Sequence, residues 1–163
     1  MSLFRSRLPA NVRHALALEP GERVLAHAAT PTGGHVVATD RALHLAPYLH
    51  ETVRLPWQRV DRAGWDETDL WVLGTDGTEH RVTVPVPGLL PETVRERVTA
   101  SIVASRYVRL GGRGGVRLVA RRAPGDDVLE WEFVFDRGLD PDDPGLRALA
   151  EQALEEVRRS LGV

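Results

Sequence analysis

The chain has no cysteine, no lysine, one methionine and no long apolar run. The missing cysteine excludes disulfides, thiolate metal sites and a thiol nucleophile together, and it agrees with a reducing compartment. The missing lysine excludes a Schiff base, a P-loop lysine on a phosphate and a lysine general base. All 21 basic residues are therefore arginine, a bias attributable first to GC-rich codons. No stretch approaches the roughly 18 apolar residues that a membrane-spanning helix needs. The opening Met1-Ser-Leu-Phe-Arg-Ser-Arg7 also lacks the apolar centre of a signal peptide. These absences predict a soluble, cytoplasmic protein without a transmembrane segment. Serine stands only at positions 2, 6, 101, 105 and 160, never in G-x-S-x-G, so a serine nucleophile is poorly supplied. A net charge of −2 makes no global case for nucleic acid.

What the chain does have is alternation. From Arg23 to Val86 short apolar-polar segments are cut by Gly33-Gly34, Asp40-Arg41 and Asp76-Gly77. Val24, Ala26 and Ala28 mark a first strand, Val36 to Thr39 a second, and Leu43 and Leu45 a third. Val53, Leu55 and Trp57 mark a fourth, Val60 to Trp65 a fifth, Leu70 to Leu73 a sixth, and His80 to Val86 a seventh. Asp-Gly between the last two is the strongest hairpin signal, because it readily supplies positive φ. Turns this short leave no room for crossover helices, so the strands should pair antiparallel and curl. Before them, Leu8 to Leu18 reads as a short helix. After them, Pro91 and Glu92 open an amphipathic helix reaching Ser105, with Val94, Val98 and Ile102 on one stripe.

The remaining residues form a second pattern. Val116, Leu118 and Ala120, then Leu129, Trp131, Phe133 and Phe135, give a hairpin with one apolar face around Pro124-Gly125-Asp126-Asp127. Asp143 as N-cap and Pro144 at N1 start a last helix whose stripe is Leu146, Leu149, Ala150, Ala153, Leu154, Val157 and Leu161, ending at Gly162. An isolated hairpin is marginal in water, so this appendix should dock on the first domain or on a second copy.

Pro20-Gly-Glu-Arg-Val-Leu-Ala26, Val36-Val-Ala-Thr-Asp-Arg-Ala-Leu-His-Leu45 and Leu55-Pro-Trp57 carry a resemblance to bacterial pleckstrin-homology-like domains related to GRAM domains. The resemblance covers residues 10 to 106. It implies an α+β fold: a seven-stranded antiparallel, partly open barrel or sandwich capped by a helix, here with a β-hairpin and C-terminal helix added. The domain reading is 1–19 for a short N-terminal helix, 20–106 for the PH-like barrel with its capping helix, and 107–163 for a β-β-α extension packed on the barrel or on a second chain. The resemblance also implies a non-enzymatic protein- or peptide-interaction module, with a homodimer among its options. In eukaryotic relatives phosphoinositide binding uses basic residues around the first hairpin loop. Here that loop, Thr30-Pro-Thr-Gly-Gly34, holds none, so phosphoinositide is not the expected ligand.

Two groups of residues are candidates for contact. Trp71 alternates out of phase with Leu70 and Val72, which places it with Leu73 on the non-core face as a partner-binding pair. The segment Arg109 to Arg122 holds five arginines, four glycines and no acid. Arg117 and Arg121 would face Glu130 and Glu132 across the hairpin, leaving Arg109, Arg113 and Arg122 for an anionic ligand such as a lipid head group, a phosphate compound or nucleic acid. Nucleic acid is the weakest of these. Six histidines do not cluster at ligand spacing, so no metal and no cofactor is expected. Asp61, Asp66, Glu67 and Asp69 around Trp65 lack the oxygen-ligand order of a calcium loop.

Overall fold

The computed structural model describes residues 7–47 and 50–163. The first six residues of the 1–19 segment lie outside that range. Among the described residues the fold is α+β, with ten strands in three antiparallel sheets, few helices and no closed barrel. The chain divides into two compact units, Met1–Ala100 and Ser101–Val163.

The first unit opens with α1 (Ala10–Ala15), shorter than its apolar spacing suggests. Strands β1 (Val24–Ala29), β2 (His35–Thr39), β3 (Ala42–Ala46) and β4 (Val53–Pro56) form one sheet in that order. Strands β5 (Val60–Asp66), β6 (Asp69–Gly74) and β7 (Glu79–Thr83) form another. Period-two alternation sends Ala26, Ala28, Val36, Ala38, Leu43 and Leu45 inward from the first sheet, and Leu70 and Val72 from the second. The helix α2 (Leu90–Ser101) adds Leu90 and Val94 to the same core. Trp57, expected on the fourth strand, sits instead in a 3-10 turn from Trp57 to Arg59, because Pro56 ends β4. Its ring is fully buried, and Nε1 donates to the Thr39 carbonyl at 2.9 Å, so a large aromatic enters the core with its polar atom satisfied.

The opposite face of the four-stranded sheet is also covered. Leu8 and Leu16 flank α1 and bury against Val37, with Val12, Leu18, Val24 and Ala46 alongside. This is why β2 and β3 read buried on both faces.

In the second unit the structure departs from the spacing rule. Residues Ile102–Arg109 form a strand, β8, where the four-residue repeat predicts helix to Ser105. Two consecutive β-branched residues, Ile102 and Val103, weaken the helix there. The strand gains a ladder against β9 (Gly115–Arg122), which would otherwise lack a partner on that edge. With β10 (Leu129–Phe135) the order is β10-β9-β8, so the extension is β-β-β-α and not the expected β-β-α. The helix α3 (Pro144–Leu161) follows. Asp143 caps it by accepting from the Gly145 and Leu146 N–H groups, and Gly162 closes it in the left-handed region at φ 73°. Its Leu146, Ala150 and Ala153 bury with Val116 and Leu118 of β9, and Trp131, Phe133 and Phe135 pack around them. Leu149 and Leu161, expected on this stripe, stay exposed.

Candidate functional site

A cleft of about 550 Å³ opens in the first unit, at one end of the four-stranded sheet. Leu45, Val53 and Val82 form its apolar floor, and Thr30, Pro31 and Thr32 of the β1–β2 loop form one lip. That loop is locally ordered: Thr30 Oγ1 accepts from the Gly34 N–H at 2.9 Å, and the Gly34 N–H side of the turn approaches Ala46 and Pro47 so closely that a Cβ would collide with the Ala46 carbonyl. Glycine at 34 is thus demanded by the packing of the lip on the end of β3.

The opposite wall is His80, Arg81, Val82 and Thr83. Neighbouring strand residues point to opposite faces, so four in succession line one cleft only if it runs along the strand's edge. β7 is indeed an edge, paired with β6 alone in its sheet. The Val84 N–H donates to Thr68 across β6's end, which turns the backbone groups of Val82 and His80 toward β6 and those of Arg81 and Thr83 outward. The charges nearby are partly spent: Arg81 pairs with Asp66 at 2.8 Å and with Glu79 at 3.5 Å. His35, on the cleft rim, is held below the ordinary histidine value by burial and by the neighbouring His27. The cleft therefore offers an apolar floor, three threonine hydroxyls, two imidazoles and a row of backbone donors and acceptors, and no concentrated charge.

A second constellation, which no sequence motif marks, lies on the outer face of the same sheet. Glu22 precedes β1, and its carboxylate accepts from Thr39 Oγ1 at 2.6 Å, from His44 Nε2 at 2.9 Å and from the Glu19 N–H at 2.9 Å. Arg54, across the ladder from His44, approaches the other oxygen at 3.6 Å. The side chains of Glu22 and His44 are 0% exposed. Burial by itself would raise the Glu22 pKa, but the hydrogen bonds from Thr39, His44 and Glu19 overcome it and hold the value at about 2. His44 Nδ1 is buried without a hydrogen-bond partner, which fits the tautomer with its proton on Nε2. A histidine-carboxylate couple of this kind has catalytic geometry, yet no substrate reaches two fully buried groups. Its evident work is to tie the segment after α1 to β2, β3 and β4. One sequence signal pointed to it: Ala42, His44 and Ala46 share a face that is otherwise small and apolar, and a histidine there needs a buried partner.

The residues singled out from sequence do not meet in either place. Trp71 and Leu73 share the non-core face of β6 as expected, both half-buried. Trp71 lies opposite Gly64 with its indole over that glycine, where any Cβ would collide with the ring. Arg109 and Arg113 flank the β8–β9 turn and are exposed, whereas Arg122 stands at the far end of β9. Seven residues at about 3.3 Å each separate Gly115 from Arg122, so the three arginines do not converge on one anion. Of the charges expected to pair internally, Arg121 meets Glu132 at 3.4 Å, while Arg117 lies opposite Val134 and approaches Ser105 Oγ at 3.4 Å. Asp66 and Asp69 bind Arg81 and Thr83. Among the described residues no group of three or more His, Asp or Glu is arranged to hold a metal ion. Compared with known proteins, the chain matches no family model, no curated protein and no solved structure.

Proposed function

We propose that the first unit is a non-enzymatic, PH-like interaction module that takes an extended peptide along the open edge of β7. The observation that carries this reading is the cleft lined by four consecutive residues, His80 to Thr83, on an edge strand with an apolar floor beside it. Such a site supplies main-chain hydrogen bonds for affinity and a pocket for alternate side chains for specificity. A peptide paired with β7 would set alternate side chains over Leu45 and Val53. The order of four strands, three strands and a helix supports the PH-like assignment. The absence of basic residues from the β1–β2 lip favours peptide over phosphoinositide. The alternative anionic site at Arg109, Arg113 and Arg122 gains no support, because Arg122 lies a strand's length from the other two.

The test is selection of a displayed random-peptide library on the purified full chain, followed by titration of the selected peptides. Thr83→Pro removes an outward N–H while leaving the β6-facing groups alone, and Thr83→Val keeps it. Binding lost in the first variant and kept in the second supports the reading. Equal binding by both, or no enriched peptide, overturns it.

A further inference from the structure

The three sheets have six edge strands: β1, β4, β5, β7, β8 and β10. An unpaired edge is a template for another strand, and proteins blunt such edges with bulges, proline, short length or charge. Four of the six are treated in one of these ways, and a fifth, β7, is the edge assigned above to a peptide. The register shifts in β1 between Val24 and Ala26, in β5 between Val60 and Arg62, and in β8 between Ile102 and Ala104. β4 has four residues and ends in Pro56. β10 is different. Its seven residues, Leu-Glu-Trp-Glu-Phe-Val-Phe, pair with β9 without a shift and include no proline or glycine, and of its two charges, Glu130 and Glu132, the second is paired with Arg121 at 3.4 Å.

The direction of its free backbone groups follows from the ladder. The Asp136 N–H donates to the Gly115 carbonyl at 3.0 Å, so Glu130, Glu132 and Val134 also turn toward β9. The N–H and C=O groups of Leu129, Trp131, Phe133 and Phe135 are left on the outer edge. Their side chains lie on the face packed by α3, where Trp131, Phe133 and Phe135 remain partly uncovered.

We propose that β10 is a self-association edge: two copies pair antiparallel about a twofold axis at Phe133, joining two three-stranded sheets into one. This register makes Phe133 its own hydrogen-bonded partner and sets Trp131 opposite the second copy's Phe135, so every outward group of residues 131, 133 and 135 is used. On the other face Glu132 lies opposite the second copy's Val134. Moving the axis to Glu132 would oppose two glutamates, and moving it to Val134 would set Glu132 against Asp136. In the chosen register Glu130 meets Asp136 only at the ends, where the Asp136 carboxylate is already held by the Tyr107 hydroxyl at 2.7 Å and the Gly115 N–H at 2.8 Å. A second copy suits this edge because the partly uncovered Trp131, Phe133 and Phe135 of the two strands would cover one another along the seam.

Sedimentation equilibrium of the full chain across the micromolar range should show a monomer–dimer equilibrium. Val134→Glu puts like charges opposite each other twice per dimer and should weaken association about tenfold, while Val134→Lys should preserve or strengthen it against Glu132. Because the chain has no cysteine, mixing Glu132→Cys and Val134→Cys chains under oxidation reads the register directly. The mixture should yield a covalent dimer and neither chain alone should. A monomer throughout, equal weakening by Glu and Lys at 134, or cross-linking of Glu132→Cys by itself overturns the proposal.

Discussion

The two units solve the problem of a small core in different ways. In the first, seven strands enclose an apolar cluster, but one sheet is buried on both faces and carries an ionised glutamate inside its second layer. In the second, one sheet and one helix share a single apolar layer built from Val116, Leu118, Leu146, Ala150 and Ala153, with Trp131, Phe133 and Phe135 around it. Its most buried charge, Arg121, lies on the other face of the sheet and is paired with Glu132. The lesson concerns polar burial. A carboxylate can sit fully buried in the first unit because three donors converge on it from the chain before β1, from β2 and from β3. The second unit has an apolar layer in which such a group would find no donors.

The comparison breaks most sharply at Glu22. Glu22→Ala leaves His44, Thr39 and Arg54 facing a void, and removing one member of a buried ionic network costs about 3–5 kcal/mol. The expected outcome is a large fall in the denaturation midpoint with loss of hydrogen-exchange protection across β1 to β3. The same residue makes the first unit acid-sensitive. Its folded pKa is depressed from 4.5 to about 2, so its contribution is fully present above pH 4.5 and is lost as pH falls from there toward 2. Glu22→Gln should flatten stability over that window, measured by denaturation at successive pH values. An unchanged acid limb in that variant would contradict the assignment.

Leu118→Ala tests the other unit. Leu118 is fully buried under α3, and the cavity left behind should cost about 3 kcal/mol. Protection should fall in β8 to β10 and α3, and the loss should be the same at pH 3 and pH 7. A smaller effect belongs to Asp143→Ala, which strips the cap from the Gly145 and Leu146 N–H groups and should cost about 1 kcal/mol. It should be seen as faster exchange in the first turn of α3.

Legibility followed the range of the interactions. The Asp76-Gly77 hairpin, the Asp143 cap and the Gly162 stop were readable because each is settled within a few residues by φ preference and local hydrogen bonds. So was the alternation placing Leu43, Leu45, Val116 and Leu118 inward. β8 was not, because Val94, Val98 and Ile102 satisfy helical spacing, and the weak local preference for strand at Ile102 and Val103 ends the helix at Ser101 only with the ladder that the open side of β9 supplies. The arginines misled for a related reason. Arg109, Arg113 and Arg122 are neighbours along the sequence, but an extended strand carries Arg122 away from the turn.

By itself, then, the sequence determined the class of the fold, the direction of most strand faces, the caps of α3 and the chemistries excluded by missing cysteine and lysine. The tertiary structure alone decided which edges are open, that a cleft runs beside β7, and that Glu22 and His44 meet. The physical reason is that propensity and period are local sums over neighbouring residues. A buried hydrogen bond between positions 22 and 44, or an edge left without a partner, exists only when distant strands have taken their places.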